Sequence, residues 1–434
     1  MDQLEQDLQK LRRQVIALAT QTNLSQPPVG EYDAVISHVE INDRHGVGVL
    51  LGQLFRDSGP ILAIRSHTSY AGDNWLGEHH YCISYEGLSR PERFLKVGQL
   101  IGPVRIKRIL CVPFREDDVW TGIILHAMYG APLCTYIMDD QNVAVNNIND
   151  GTLQELLQAS ALRLAISQEM AAAYERKYQL PFWLVPPIVS PELILNHAES
   201  SPLTATQQPT GEMIHPATGV LVGNIWSKSW LDQLRRMTRQ TKLSIHWYGD
   251  REQTWLKTSP EELCQDGIIY QGFLPQQELV QKLREYPFAV VATSPLDRPG
   301  HDESPHAQAI ARYSLPSRIP FMLATANIPI IVIGHPLTTA ARFVQRFGVG
   351  ASCEYDPQQF KMLVEWVLLP DTQKDIRQRA AKLARYLTST GVRDWIWQST
   401  QLGTAVDRRF EDLMPRLPDE ITELYNRCGQ RKVA

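Results

Sequence analysis

The sequence predicts an α/β protein of two consecutive domains, each built on a parallel sheet with helices on both faces. The chain has 434 residues, more than a single hydrophobic core normally holds. Its composition, 43% hydrophobic and 21% charged residues, is that of a globular protein. Short apolar runs of strand character alternate with amphipathic helical stretches, which is typical of a parallel sheet covered on both sides. We therefore expect two doubly wound, Rossmann-like domains that face a cleft.

Composition and charge exclude several classes of protein. The formal net charge of -4 gives no general attraction to nucleic acid. No apolar run approaches the roughly 18 to 20 residues that span a bilayer, and the charged N-terminus lacks the apolar core of a signal peptide. The six cysteines are scattered, which favours buried thiols over a zinc site or disulfides. The predicted location is the cytoplasm.

Residues 1–25 are predicted to form a separate amphipathic helix. Its apolar residues recur at alternating steps of four and three, as on a coiled-coil seam. They are Leu4, Leu8, Leu11, Val15 and Leu18. Because the seam is short for a free coiled coil, the helix either packs on the body of the protein or forms a homo-oligomer through residues 1–23.

The first domain is predicted over residues 30–195, although residues 68–100 show no clear pattern. Its strands are predicted at 34–39, 61–64, 108–113, 132–138, 162–166 and 182–185, and its helices at 47–55, 119–128, 153–157 and 168–178. A stretch rich in Ser, Thr, Pro and Gln at 195–217 is the predicted domain boundary.

The second domain is predicted over residues 215–390, where the same alternation restarts. Its strands are predicted at 219–222, 243–248, 268–270, 288–293, 328–333 and 350–354, and its helices at 230–238, 276–283, 316–326, 338–347 and 357–368. A helical segment follows over 391–434, with one helical stretch at 393–414.

Two predicted strands of the first domain have candidate site residues at or after their carboxyl ends, where ligands of parallel sheets bind. Gly46 and Gly48 follow the first strand, where a tight turn exposes N–H groups to an anion or a sugar hydroxyl. A plain turn is the alternative, and the missing third glycine disfavours NAD. Asp139 and Asp140 either orient an acceptor hydroxyl or simply end a strand. His38 is either a site residue or a core histidine.

The second domain offers a candidate phosphate site. Ser314, Ser317 and Arg318 lie around the start of the helix predicted over 316–326, so that two hydroxyls, a guanidinium and free N–H groups lie at one helix start. An ordinary helix capped by serine is the alternative. Lys228 either reaches a phosphate or is a solvated lysine. A basic run at 105–108 suits an anionic membrane surface or a solvated sheet edge.

The order of these features resembles the GT-B fold glycosyltransferases, in particular the retaining bacterial polysaccharide and cell-surface enzymes of glycosyltransferase family 4. In the first half, the glycine-rich turn is followed by Ser-x-x-Met at 167–170, by Tyr174, and by a Val-Pro-Pro run at 185–187. The similar passages of the second half are 222–225, 248–249, 270–275, 314–318, 328–331 and 347–350.

The resemblance implies a metal-independent transferase without a cofactor, which moves a hexose from a nucleoside diphosphate sugar to a glycan or lipid-linked acceptor. It assigns the nucleotide sugar to the second domain and most of the acceptor to the first domain. It also implies that a C-terminal helix crosses back to pack on the first domain. Such an enzyme works in the cytoplasm or peripherally at the inner face of the membrane. The implied contacts are Ser314, Ser317, Arg318 and Lys228 for the diphosphate, Gly272 near the nucleobase, and Gly46 and Gly48 for the donor phosphates or the acceptor.

Departures from the family pattern keep other functions open. The Glu-x7-Glu pair is absent, and Phe321 and Met322 stand where its second glutamate would fall. Asn224 replaces an arginine, and Lys228 comes one position early. Glu303 is a candidate for the missing carboxylate. The alternatives are an inactive glycosyltransferase-like scaffold and a nucleotide-sugar epimerase.

Overall fold

The structure is a computed structural model that describes most of residues 30–414. Residues 1–29, 57, 71, 103, 196–217, 226–227, 251–257, 295, 297–304 and 415–434 lie outside the description. The predicted N-terminal helix, most of the predicted boundary, Glu303 and the end of the C-terminal segment are among them. The described chain forms two compact units, the first from 30–166, 170–185 and 391–414 and the second from 167–169 and 186–390.

The first unit is built on a seven-stranded sheet whose neighbouring strands are all parallel. Its strands are β1 (Glu31–Ser37), β2 (Ile61–Arg65), β3 (His79–Cys82), β4 (Arg105–Cys111), β5 (Leu133–Ile137), β6 (Leu162–Ala165) and β7 (Trp183–Leu184). Its helices are α1 (Gly46–Phe55), α2 (Arg90–Ile101), α3 (Glu116–Tyr129), α4 (Asp150–Ala159) and α5 (Gln168–Tyr178). β5 is buried at every position, as expected of a strand covered on both faces.

The second unit is built on a six-stranded parallel sheet. Its strands are β8 (Thr218–Val222), β9 (Ser244–Tyr248), β10 (Ile268–Gly272), β11 (Ala289–Ala292), β12 (Ile330–Ile333) and β13 (Gly350–Cys353). Its helices are α6 (Lys228–Thr241), α7 (Pro260–Gln265), α8 (Gln276–Leu283), α9 (Pro305–Tyr313), α10 (Arg318–Ala326), α11 (Thr339–Phe347), α12 (Pro357–Val367) and α13 (Pro370–Ala384). A core that includes Trp247 and Phe288 lies against this sheet.

The last two described helices belong to the first unit. They are α14 (Val392–Leu402) and α15 (Arg409–Leu413). The Trp397 ring lies 5.6 Å from that of Phe55, and the Arg108 guanidinium lies 4.7 Å from its centroid. The single helical stretch predicted over 393–414 is wrong, because Gly403 ends α14 in the left-handed conformation, with φ of 71°.

Strand order decides where each sheet can bind a ligand. The orders are β3-β2-β1-β4-β5-β6-β7 and β10-β9-β8-β11-β12-β13. In each unit the chain first builds the sheet on one side of its first strand and then crosses to the other side. The topological switch points therefore lie between β1 and β4 and between β8 and β11, and ligands of such sheets bind beyond the carboxyl ends of those strands.

The prediction of two α/β domains with parallel sheets is confirmed. Each predicted strand is present, with ends that differ by a few residues. Residues 68–100, which showed no clear pattern, contain β3 and α2. β3 is an edge strand whose residues alternate between half-buried and exposed, so it lacks the apolar run that marks the other strands. Within the described part of the chain, no helix is both long and apolar enough to cross a bilayer.

Candidate functional site

Arg318 occupies the switch point of the second sheet. It is the first residue of α10, and its Nη1 donates a hydrogen bond of 2.9 Å to the carbonyl oxygen of Val222, where β8 ends. The next residue, Gly223, has φ of 94°, and a Cβ at this glycine would lie 3.5 Å from the guanidinium. The chain therefore turns directly against the Arg318 side chain as it leaves β8.

The Arg318 side chain is half-buried, and no carboxylate among the described residues compensates its charge. Burial lowers the pKa of Arg318 to about 10. The Val222 carbonyl satisfies one of its donors, and no carboxylate of the described residues forms an ion pair with it. Since a guanidinium carries five N–H donors, most of its hydrogen-bonding capacity is left for a ligand.

The two serines predicted beside Arg318 differ in their surroundings. Ser314 is buried, and its hydroxyl has no hydrogen-bond partner among the described residues. Ser317 precedes α10 directly, with a helical backbone and no side-chain capping bond. The alternative of an ordinary serine-capped helix is therefore not what is observed: α10 begins at Arg318, two residues later than predicted, and Ser317 makes no capping bond. An uncapped helix start with an unpartnered hydroxyl nearby suits an anion better than a structural cap does.

The loops that follow β8, β9 and β10 are tied to one another at the same edge of the sheet. The side-chain oxygen of Asn224 accepts a hydrogen bond of 3.1 Å from the backbone N–H of Asp250. The N–H of Gly249 donates to the carbonyl oxygen of Gly272 at 3.0 Å. Asn224, which stands in place of the expected arginine, thus joins two loops.

Gly272 ends β10 beside an exposed aromatic ring that the sequence analysis did not single out. Its φ is 84°, and a Cβ placed there would meet no atom within 4 Å, so the space around it is open. Phe273 follows with 45% of its surface exposed. An exposed ring directly after a turn glycine is the local sequence signal that could have identified it.

Lys228 differs from Arg318 in that it already has an acidic partner. It begins α6, its side chain is 73% exposed, and it forms an ion pair with Asp232. Arg318 thus contacts the end of β8, Ser317 and Ser314 precede it by one and four residues, and Gly272 lies two strands away in the sheet. Lys228 is exposed at the start of the next helix.

In the first unit, His45 organises the glycine-rich turn. His45 caps the start of α1, because its Nδ1 accepts a hydrogen bond of 3.3 Å from the N–H of Gly48. Its Nε2 donates to the carbonyl oxygen of Glu40 at 2.7 Å. A carbonyl can only accept, so the proton lies on Nε2 and His45 is a neutral imidazole. Gly46 is exposed at the first position of α1.

Gly48→Ala is expected to destabilise the protein by about 1–3 kcal/mol. A Cβ at Gly48 would meet the carbonyl oxygen of Asn42 and lie 2.7 Å from Nε2 of His45. Urea unfolding measures the change, and Gly46→Ala is the matched control, because an exposed first helical position should change stability by less than about 0.5 kcal/mol. Equal stability of the two variants would contradict the close packing inferred for Gly48.

Buried polar groups lie around the switch point of the first sheet. His38 follows β1 and packs against Phe114, with 4.0 Å between the ring centroids. Ser37 Oγ, Nδ1 of His38 and Oδ1 of Asp118 are buried without a hydrogen-bond partner among the described residues. Such orphaned atoms are rare in native interiors and often mark functional sites.

Asp118, which the sequence analysis did not single out, lies at the start of α3. Burial raises its pKa to about 6, although the N–H groups of Phe114 and Arg115 donate hydrogen bonds to it. Those two backbone bonds, at 3.0 and 2.8 Å, reach the same carboxylate oxygen. The bonds are local, as in a capping box, whereas the full burial of this carboxylate depends on tertiary packing and is not marked in the sequence.

The two aspartates after β5 have different surroundings. Asp140 is fully buried and accepts hydrogen bonds from the N–H groups of Asn142, Val143 and Ala144 at 3.1, 2.7 and 2.7 Å. Its carboxylate also accepts one of 3.2 Å from the Tyr174 hydroxyl. Asp139 is half-buried. Asp140 therefore closes the loop after β5 and offers little to a substrate.

Comparison with known proteins identifies the fold. No protein-family model and no curated protein matches the chain. Anabaena Alr3699/HepE, solved with UDP, superposes with a TM-score of 0.53 at 11% identity, covering 85% of this chain and 100% of that chain. Os79 from O. sativa, also solved with UDP, gives 0.52 at 11% identity, covering 86% of this chain and 100% of that chain. The chain has the GT-B fold, with two parallel-sheet α/β domains.

Proposed function

We propose that this protein is a glycosyltransferase whose donor is a nucleoside diphosphate sugar. The observation that carries this proposal is the half-buried guanidinium of Arg318 at the end of β8, which has no carboxylate partner among the described residues. A charge partly withdrawn from water and left uncompensated carries a desolvation cost, and a diphosphate would compensate it through charge-assisted hydrogen bonds. The position of Arg318 at a topological switch point also supports a nucleoside diphosphate site there. The UDP bound in both compared structures supports the same proposal.

The proposed chemistry requires the protein to stabilise a departing nucleoside diphosphate. Negative charge grows on that group as the bond to the sugar breaks, and donors fixed beforehand lower the barrier. We assign this task to Arg318 and the Ser314 hydroxyl, with Ser317 at the start of α10 and Lys228 as an outer cation. We further propose that the hexose is transferred with retention and without a metal ion, so an excess of chelator should leave the rate unchanged.

The first unit is the proposed acceptor side. Its switch point presents the exposed start of α1 at Gly46, together with His38, and Asp139 lies half-buried after β5. A glycan or lipid-linked acceptor is the proposed substrate class. Asp140 is left out of this assignment, because its carboxylate is occupied by backbone N–H groups and Tyr174.

Phe273→Ala is expected to weaken UDP binding about tenfold, since stacking of one base on an aromatic ring contributes roughly 1–3 kcal/mol. The exposed ring beside Gly272 would support the uracil face. Calorimetric titration measures the affinity. The control is Trp366→Ala, because Trp366 on α12 is exposed to a similar extent, at 41%, and should leave UDP binding unchanged. Equal affinity of Phe273→Ala and wild type would refute the stacking role.

A catalytically inactive, nucleotide-binding scaffold is the second candidate, and one observation favours it. Met322, at the position expected for the ribose-binding glutamate, is fully buried, and Phe321 packs against an apolar cluster. Neither side chain can accept a hydrogen bond from a ribose hydroxyl, so ribose binding would need another group.

The test is to incubate the purified chain with nucleotide sugars and follow free nucleoside diphosphate, the sugar and its anomeric form. A transferase releases the diphosphate, slowly to water and faster with an acceptor. A scaffold binds the nucleotide but leaves the sugar attached, and an epimerase changes the sugar without releasing it. Absence of both binding and release with every nucleotide sugar tested would overturn the proposal.

A further inference from the structure

The two ring nitrogens of His38 differ in access. His38 directly follows β1, at the switch point of the first sheet, and its side chain is half-buried. Nδ1 is fully buried and has no hydrogen-bond partner among the described residues, whereas Nε2 is not among the buried unpartnered atoms. A substrate can therefore reach this imidazole only through Nε2.

The surroundings of His38 keep its imidazole neutral. The Phe114 ring lies 4.0 Å from the His38 ring, and the His45 ring on α1 lies 6.1 Å away. Burial is the main cause that lowers the pKa of His38 to about 3, and His45, Arg115 and His67 lower it further by repulsion. The acidic group Asp118 lies near the same edge, and one of its carboxylate oxygens accepts hydrogen bonds from two backbone N–H groups.

The buried nitrogen decides which tautomer forms. A neutral imidazole carries one N–H, and a proton on Nδ1 would be a buried donor without an acceptor, which is among the costliest arrangements of a polar group. A proton on Nε2 leaves Nδ1 as an unpartnered acceptor instead, which native interiors tolerate more often than an unpartnered N–H. His45 is the internal comparison, since there Nε2 donates to Glu40 and Nδ1 accepts from Gly48.

The geometry points to a specific role for His38: its Nε2–H donates a hydrogen bond to a substrate oxygen, and the residue does not act as a general base. A base would need a free lone pair on the accessible Nε2, hence the proton on the buried Nδ1. The inference rests on the proposed function for the identity of the substrate. The neighbouring Arg115, exposed and without an ion pair among the described residues, favours an oxygen that carries negative charge, such as that of a phosphate or carboxylate on the acceptor.

The tautomer can be tested without any substrate. Nitrogen NMR of protein labelled at histidine, with His38→Gln to identify the signals of His38, shows which nitrogen carries the proton. The expected result is a proton on Nε2 alone, unchanged from about pH 8 to about pH 5. A proton on Nδ1, or titration near the ordinary histidine pKa of about 6.5, would overturn the inference. This outcome is independent of whether the protein is a glycosyltransferase.

Kinetics then separate hydrogen bonding from proton transfer. The amide of glutamine places an N–H donor near the position of Nε2 but cannot act as a base. We expect His38→Gln to keep kcat/KM within about tenfold of wild type and His38→Leu to lose roughly 10- to 100-fold, the range of a lost hydrogen bond to a charged group. Equal losses in both variants, on the order of 100-fold or more, would indicate a general base.

The pH profile provides a second readout. The wild-type kcat/KM is expected to show no inflection from His38, and Asp118→Asn is the control for the neighbouring carboxylate, whose pKa burial raises. An inflection that persists in Asp118→Asn and vanishes in His38→Gln would contradict the inference. UDP affinity is measured in parallel: if wild type does not bind UDP, the proposed function fails while the tautomer assignment stands on the NMR result.

Discussion

Arg318→Met is expected to weaken UDP binding roughly 10- to 100-fold, the loss for hydrogen bonds to a charged group, while the unliganded protein remains at least as stable as wild type. The physical reason is that the half-buried guanidinium has a single protein acceptor among the described residues, the Val222 carbonyl, and no carboxylate partner there. Replacing such a charge with an apolar side chain removes a desolvation cost. Calorimetry gives the affinity, and urea unfolding without ligand gives the stability.

Arg377→Met is the matched control for Arg318→Met. Burial also lowers the pKa of Arg377 to about 10, but its guanidinium is satisfied by the carbonyl oxygens of Ala326 and Tyr286 and by the side chain of Gln373, at 3.2, 3.2 and 2.9 Å. Its loss should destabilise the protein by about 2–4 kcal/mol without changing UDP affinity. If Arg318→Met were equally destabilised and still bound UDP normally, Arg318 would be structural.

Asp140→Ala is expected to lower the free energy of unfolding by about 2–4 kcal/mol, because three backbone N–H groups and the Tyr174 hydroxyl lose their acceptor. Urea unfolding measures this loss, and Asp139→Ala is the control, with an expected change below about 1 kcal/mol for a half-buried neighbour.

The same pair of variants distinguishes a structural from a catalytic carboxylate. A catalytic Asp140 would give the opposite pattern, in which the Asp140→Ala protein is as stable as wild type and binds UDP normally but transfers sugar much more slowly. The structure predicts that the activity lost in Asp140→Ala follows the fraction of protein unfolded.

The fold could be predicted from local sequence because parallel strands buried on both faces are continuous apolar runs. β5 and β12 are buried at every position and were found. β3 was missed, because an edge strand with the sequence HHYC carries no such run. α9 was also missed, since residues 297–313 show no regular pattern in the sequence.

The candidate site could be predicted only in part, because its chemistry depends on contacts between distant residues. Arg318 was identified from its place before a helix, but its bond to Val222, 96 residues earlier, was not visible in the sequence. Asp140 was a catalytic candidate from its place after a strand, and its hydrogen bond from Tyr174, 34 residues away, was not visible in the sequence. Asp118 has local donors, Phe114 and Arg115, but its full burial results from tertiary packing that no spacing reveals.

The most direct test of the central claim is a calorimetric titration of UDP into the purified chain in the presence of a chelator, repeated with GDP, ADP and TDP. Our account predicts saturable binding of one nucleoside diphosphate, UDP above all, to one site per chain, and its loss in Arg318→Met. Absence of binding by all four nucleotides, or binding that Arg318→Met leaves unchanged, would contradict the assignment of the donor site to the switch point of the second sheet.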